Sequence, residues 1–255
     1  MDNNKYISEF RAAEKLVYDE KYIITNKHTN ILFLGSCRMI VMYMYLKRVI
    51  ENDNYLKHAQ YGYSVVNVYH PILNNSINSP PSKTLHHTFE SADIVICETI
   101  KHSRYLNTDK KTDENIYSTF KLKPNCQIIQ LPNINVNMFM NDLSTSYPNK
   151  TVSELIDVRT ENINELLYYL RNFEYSETAQ FIKDNIYTTR LFATEYHPMP
   201  IIFQVFVKEF VKKIWDIDID ISWISDINIS QFLGKTDLTD LDYSTGIAKS
   251  ALNYY

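Results

Sequence analysis

Two residues in this chain have the chemistry and the setting for group transfer: Cys37, in Gly35-Ser36-Cys37-Arg38, and His197, in Thr194-Glu195-Tyr196-His197-Pro198. A cysteine attacks as its thiolate, and it needs a base or a cation nearby. The apolar run Ile31-Leu32-Phe33-Leu34 leads into Gly35, and a helical pattern begins directly after the cysteine. This layout predicts a thiol on the sharp turn between a buried strand and a helix N-terminus, where acyl-transfer enzymes place a nucleophile. The unpaired N–H groups of a helix start favour negative charge there. Gly35 is one of only 4 glycines, and it stands where the turn wants no side chain. The competing reading is that Cys37 is a small apolar residue, simply buried.

Three histidines are candidate bases: His70, His102 and His197. His197 lies on a loop just before a helix near the end of the fold, and Glu195 is placed to orient its imidazole. Its alternative is a surface loop residue whose neighbouring prolines start the next helix. His70, beside Pro71, reads equally as a turn residue.

These residues need elements to position them. Short apolar runs at 30–35, 64–69, 93–97 and 127–131 read as strands. Helical patterns fall at 5–21, 38–51, 84–91, 151–172, 176–188 and 199–214, and an Asn/Ser/Pro-rich loop at 74–82. Strands alternating with helices imply an α/β class with a mostly parallel central sheet and helices on both faces, a three-layer α/β/α arrangement. Residues 1–214 form the expected α/β domain. Residues 215–255 change character and read as an extension, either a strand with an extended tail or a linker toward a further domain.

Ligands of open parallel sheets bind beyond the C-terminal strand ends. That rule nominates Ser36, Cys37 and Arg38 after the first strand and His70 after the second. It adds Glu98, with Lys101, His102 and Arg104 beyond, after the third, and Asn133 after the fourth. Glu98 is expected near the cleft, or else paired with Arg104.

Composition narrows the classes. With 26 basic and 30 acidic residues the net charge is -4, so no bulk nucleic-acid surface is expected. No apolar run reaches the ~18 residues of a membrane span. The three cysteines, at 37, 97 and 126, form neither a disulfide framework nor a metal motif, which points to free thiols in a reducing, cytoplasmic setting. P-loop, dinucleotide and zinc patterns are missing, so no metal is expected and any nucleotide-bearing ligand must be held by scattered contacts. Abundant Tyr (20), Asn, Ile and Lys reflect AT-rich codons.

Four segments in order carry a resemblance. They are the Gly35-Ser36-Cys37-Arg38 turn, Ala92-Asp93-Ile94-Val95-Ile96-Cys97-Glu98, Ile128-Ile129-Gln130-Leu131-Pro132-Asn133, and Arg190 to Pro198. Over about residues 28–214 the chain resembles the WcbI-type polysaccharide-biosynthesis acetyltransferases, a branch of SGNH-like folds. The resemblance implies acetyl transfer from acetyl-CoA to a sugar in surface-glycan assembly, with Cys37 as nucleophile and His197 as base. A narrower resemblance, to acetyltransferase domains of giant-virus fibre-sugar pathways, implies a nucleotide-linked amino-deoxy (viosamine-type) acceptor and, for a viral chain, the host cytoplasm. Ser36 stands where the family carries Asn, Arg38 where it carries Gln, and Thr194 where an SGNH base block carries Asp. The side-chain oxyanion donor and the acid partner are therefore unassigned.

In the implied mechanism Cys37 accepts the acetyl group, or else only shapes the site while His197 activates the acceptor directly. Backbone N–H groups at Cys37 and Arg38 hold the oxyanion, and Arg38, Lys101 and Arg104 meet CoA or nucleotide phosphates. Three other classes compete: an SGNH-like carbohydrate esterase that uses water, a non-catalytic binding domain on a degenerate fold, and a sugar-transfer enzyme, whose Asp-x-Asp metal site only Asp216-Ile217-Asp218-Ile219-Asp220 could offer, a run that reads as an alternating strand or linker.

Overall fold

The computed structural model describes residues 29–52, 61–67, 83–98, 121–194 and 197–220. The expected helix at 5–21, the loop at 74–82 and most of the 215–255 extension lie outside them. The chain divides into two compact units, residues 1–133 and 134–255.

The first unit is built on a four-stranded parallel sheet. Its strands are β1 (Thr29–Gly35), β2 (Tyr61–Asn67), β3 (Ile94–Glu98) and β4 (Gln127–Leu131), in the order β2-β1-β3-β4. Register runs Thr29↔Tyr61 to Gly35↔Asn67 between β1 and β2, and Ile31↔Ile94 to Leu34↔Cys97 between β1 and β3. From Ile31 to Leu34 β1 is buried on both faces, which its unbroken apolar run requires of a central parallel strand. Helix α1 (Cys37–Asn52) begins at once after β1 and is buried around most of its circumference by Met39, Met42, Tyr43, Leu46, Val49 and others. Phe33 and Tyr43 meet edge to face at 5.5 Å, and Tyr43 meets Tyr63 at 5.7 Å. Helix α2 (Lys83–Ser91) follows β2 and buries Thr88 and Phe89.

The strand expected at 64–69 begins three residues earlier, at Tyr61. Its first turn of ladder contains Gly62, an unpromising strand residue. A Cβ at Gly62 would lie 2.4 Å from Asn30 Oδ1, so glycine is what lets the Asn30 side chain fit against the neighbouring strand. Asn30 in turn donates its side-chain N–H to Ser91 O at 3.2 Å.

The second unit is mainly helical: α3 (Met140–Ser146), α4 (Val152–Asn172), α5 (Ser176–Asn185) and α6 (Pro200–Trp215), with a short antiparallel pair β5 (Phe192–Thr194) and β6 (His197–Pro198). Leu155, Ile163, Leu166 and Leu170 give α4 its buried stripe, and Ile202, Phe206 and Phe210 give α6 the stripe its spacing predicts. Pro200 opens α6, where its missing N–H costs nothing. The α5 start is capped from α6: Glu209 accepts Glu177 N at 3.0 Å, Thr178 N at 2.9 Å and Thr178 Oγ1 at 2.8 Å. Tyr175 stacks on Phe206 at 4.4 Å. Two helix ends place a non-glycine residue in the left-handed region, Glu174 (φ 63°) and Asp216 (φ 55°), and each is paired with a lysine of α6.

Candidate functional site

The strand order supplies the frame. From β1 the chain crosses to β2 on one side and later arrives at β3 on the other. The β1/β3 crevice is therefore the topological switch point of the sheet, where open α/β folds receive ligands. The Gly35-Ser36-Cys37-Arg38 turn stands at the C-terminal end of β1, and Glu98 ends β3 beside it. Cys37 is the first residue of α1, as its sequence position predicts.

Around Cys37 the turn is tightly bonded. Ser36, in the N-cap position, donates its backbone N–H to Glu98 Oε2 at 3.1 Å and its hydroxyl to the same oxygen at 2.6 Å. The Ser36 hydroxyl oxygen accepts from Arg38 N at 3.4 Å and from Arg38 Nε at 3.1 Å. Arg38 Nε also lies 2.5 Å from Glu98 Oε1, with side chains only 9% and 3% exposed. A hydroxyl has one proton to give, and that of Ser36 goes to Glu98, so the side chain serves the turn and donates to no oxyanion in this geometry. Gly35 is explained by close approach: a Cβ there would lie 2.4 Å from Met39 Cγ and 3.0 Å from Glu98 Cβ.

The structure thus brings Ser36, Arg38 and Glu98 together and sets Cys37 among them in sequence. Asn133 follows two residues after Leu131, which is in register with Glu98, and its buried Oδ1 has no hydrogen-bond partner among the described residues. His197 lies in β6 of the second unit, with its backbone in register with Thr194. His70, Lys101, His102, Arg104 and Glu195 lie outside the described residues. The alternative pairing of Glu98 with Arg104 is untouched, but Arg38 already holds one of its oxygens.

No local sequence pattern announces the Ser36–Glu98–Arg38 arrangement. The usable signal is topological: two apolar runs that become adjacent parallel strands bring the polar residue after one beside the polar residue ending the other. At the opposite end of the sheet Asp93, just before β3, accepts Asn30 N at 2.8 Å and Lys123 Nζ at 2.6 Å. Burial alone would raise its carboxyl, but the Asn30 N–H and the Lys123 ammonium outweigh this and hold it below the usual range. Among the other cysteines, Cys97 is buried in β3, and the Cys126 thiol is pushed up by burial and by Asp93, the reverse of activation. Among the described residues no group of His, Cys, Asp and Glu side chains gathers to hold a metal. No helix among them is long and apolar enough to cross a membrane.

No family model matches the chain, and no curated protein matches it. One solved structure, described as native WcbI, a polysaccharide biosynthesis enzyme, without a disulfide bond between CoA and a cysteine, is similar to this chain with a TM-score of 0.44 and 11% identity, over 76% of this chain and 73% of that one.

Proposed function

We propose that the chain is an acyltransferase that takes an acetyl group from acetyl-CoA and delivers it to a sugar in surface-glycan assembly, on a three-layer SGNH-like fold. The observation that carries this reading is the place of Cys37. It is the first residue of a 16-residue helix, directly beyond a central parallel strand and at the switch point of the sheet. The order of motifs, from the Gly-Ser-Cys-Arg turn to the Tyr-His-Pro segment, supports the same reading.

In the first half-reaction the Cys37 thiolate attacks the thioester carbonyl of acetyl-CoA. The new C–S bond forms as the bond to CoA breaks, and the CoA thiolate leaves and takes a proton. One thioester replaces another, so the exchange is close to thermoneutral. In the first turn of α1 the Arg38 N–H already meets Ser36 Oγ and the Met39 N–H meets Ser36 O, so the backbone N–H of Cys37 is the oxyanion donor this reading needs. In the second half-reaction a sugar hydroxyl or amine attacks the acetyl-cysteine, gives its proton to a base, and expels the Cys37 thiolate. On the motif order the base is His197, oriented by Glu195. With Arg38 Nε engaged by Glu98 and Ser36, the CoA or nucleotide phosphates fall to Lys101 and Arg104. His70, His102 and Asn133 are left to the sugar. A nucleotide-linked amino sugar is the acceptor this reading favours.

Calorimetry with CoA and acetyl-CoA tests it. Micromolar binding, with a rise in melting temperature at saturating ligand, is expected. Hydrolysis of an acetylated sugar by a protein that binds neither ligand would identify an esterase instead, and absence of both would identify a binding domain.

A further inference from the structure

We infer that Glu98 is the positioning residue of the Cys37 turn: its carboxylate bridges the residue before the thiol to the residue after it and so fixes the first turn of α1 against the end of β3. The inference rests on the reading of Cys37 as the reactive residue. Of the four residues Gly35 to Arg38, three are arranged around this one carboxylate. Gly35 yields the space that the Glu98 Cβ and Oε2 occupy, 3.0 and 3.3 Å from where its own Cβ would be. Ser36 gives Oε2 both its N–H and its hydroxyl, and the Arg38 guanidinium is ion-paired with Oε1. Cys37 is the residue of the turn left over for chemistry.

The bonding requires a carboxylate in particular. Both oxygens face donors, so an amide at this position would set an N–H against an N–H on one side or the other. The pairing with Arg38 also means that the clamp brings no uncompensated negative charge to the helix start, where a thiolate would form. Burying two charges is costly even when they are paired, and packing alone could be met by apolar residues. A charged pair at this place between β1 and β3 fits a demand for a fixed geometry at residue 37.

Peptide-resolved alkylation of the whole chain with iodoacetamide at neutral pH tests this, following Cys37 and Cys97 in the same sample. Cys97 is 4% exposed and adjoins Glu98 on β3, so it reports any opening of the sheet. Two variants leave the net charge of the turn unchanged: Ser36→Ala, and the double variant Glu98→Gln with Arg38→Met. In each, Cys37 alkylation is expected to slow about tenfold, a coupling ordinary for members of one hydrogen-bond network, while Cys97 stays protected. Should the double variant not fold, Ser36→Ala decides alone. Cys37 rates within about twofold of the parent overturn the inference. So does Cys97 reacting in step with Cys37, which would mean lost packing and not lost position, and so does a parent Cys37 that does not react. Alkylation consumes no CoA, so a slowed Cys37 stands even if acetyl transfer proves not to use it. Unchanged alkylation beside a Cys37-dependent transfer would sink the positioning role alone.

Discussion

Two helix starts in this protein use the same hydrogen bonds and differ in everything else. At α4, Thr151 donates its N–H and hydroxyl to Glu154 Oε2 at 2.7 and 2.8 Å, and its oxygen accepts Glu154 N at 3.3 Å. At α1, Ser36 donates the same two groups to Glu98 Oε2 at 3.1 and 2.6 Å, and its oxygen accepts Arg38 N at 3.4 Å. In the first, the glutamate lies three residues away on an exposed helix and completes a capping box. In the second it is 62 residues away on another strand, buried, and paired with an arginine. A local cap stabilises one helix. The long-range version ties a helix start to the end of a neighbouring strand, through the two residues that flank a cysteine in sequence.

The comparison can be broken in order of expected effect. Glu98→Ala removes the carboxylate of a buried ion pair, so urea denaturation should show a loss of about 3–5 kcal/mol. A loss no larger than that of an exposed cap would mean the clamp is decorative. Gly35→Ala forces a methyl toward Met39 and the Glu98 Cβ, and the same measurement should show about 1–3 kcal/mol of overpacking. Thr151→Ala should cost roughly 1 kcal/mol and leave Cys37 reactivity alone. An equal effect of Thr151→Ala on Cys37 alkylation would erase the distinction between the two starts.

The smallest effect concerns the other end of β3, where Asp93 takes the Asn30 N–H of β1 much as Glu98 takes that of Ser36, but with its side chain 32% exposed. Its carboxyl is held below its ordinary value, so the proton binds the unfolded chain more readily than the folded one. The stability Asp93 contributes is therefore complete above the unfolded pKa and is lost as pH falls through the lower folded value. Melting temperatures followed from neutral pH into the carboxylate range should fall less steeply in Asp93→Asn than in the parent. Parallel curves would show that Lys123 and Asn30 add nothing there.

The same contrast marks what the sequence could disclose. The buried strands at Ile31 and Ile94, the edge strand at Gln127 and the long helices announce themselves by apolar runs and helical spacing. Thr151-x-x-Glu154 is a local pattern any reading could use. The start of β2 is hidden because Tyr61-Gly62-Tyr63 looks unlike a strand until Asn30 is seen to need the space over Gly62. Helix α3 leaves no clear pattern because Met-Asn-Asp-Leu-Ser-Thr-Ser carries mostly poor helix formers, and it holds by packing Met140 and Leu143 against Leu155. β5 and β6, at 3 and 2 residues, are too short for periodicity to register. At the site, Cys37 was legible because strand, glycine and helix meet there in sequence. The bond from Ser36 to Glu98 was not, because no local pattern records which strand ends lie side by side.

The most direct test of the central claim is CoA release from acetyl-CoA in the presence of an acceptor sugar, measured for the parent and for Cys37→Ala. If Cys37 carries the acetyl group, its removal should cost about 100-fold or more in rate, as expected for an interaction made in the reaction itself. Release by Cys37→Ala at the parental rate would contradict the account.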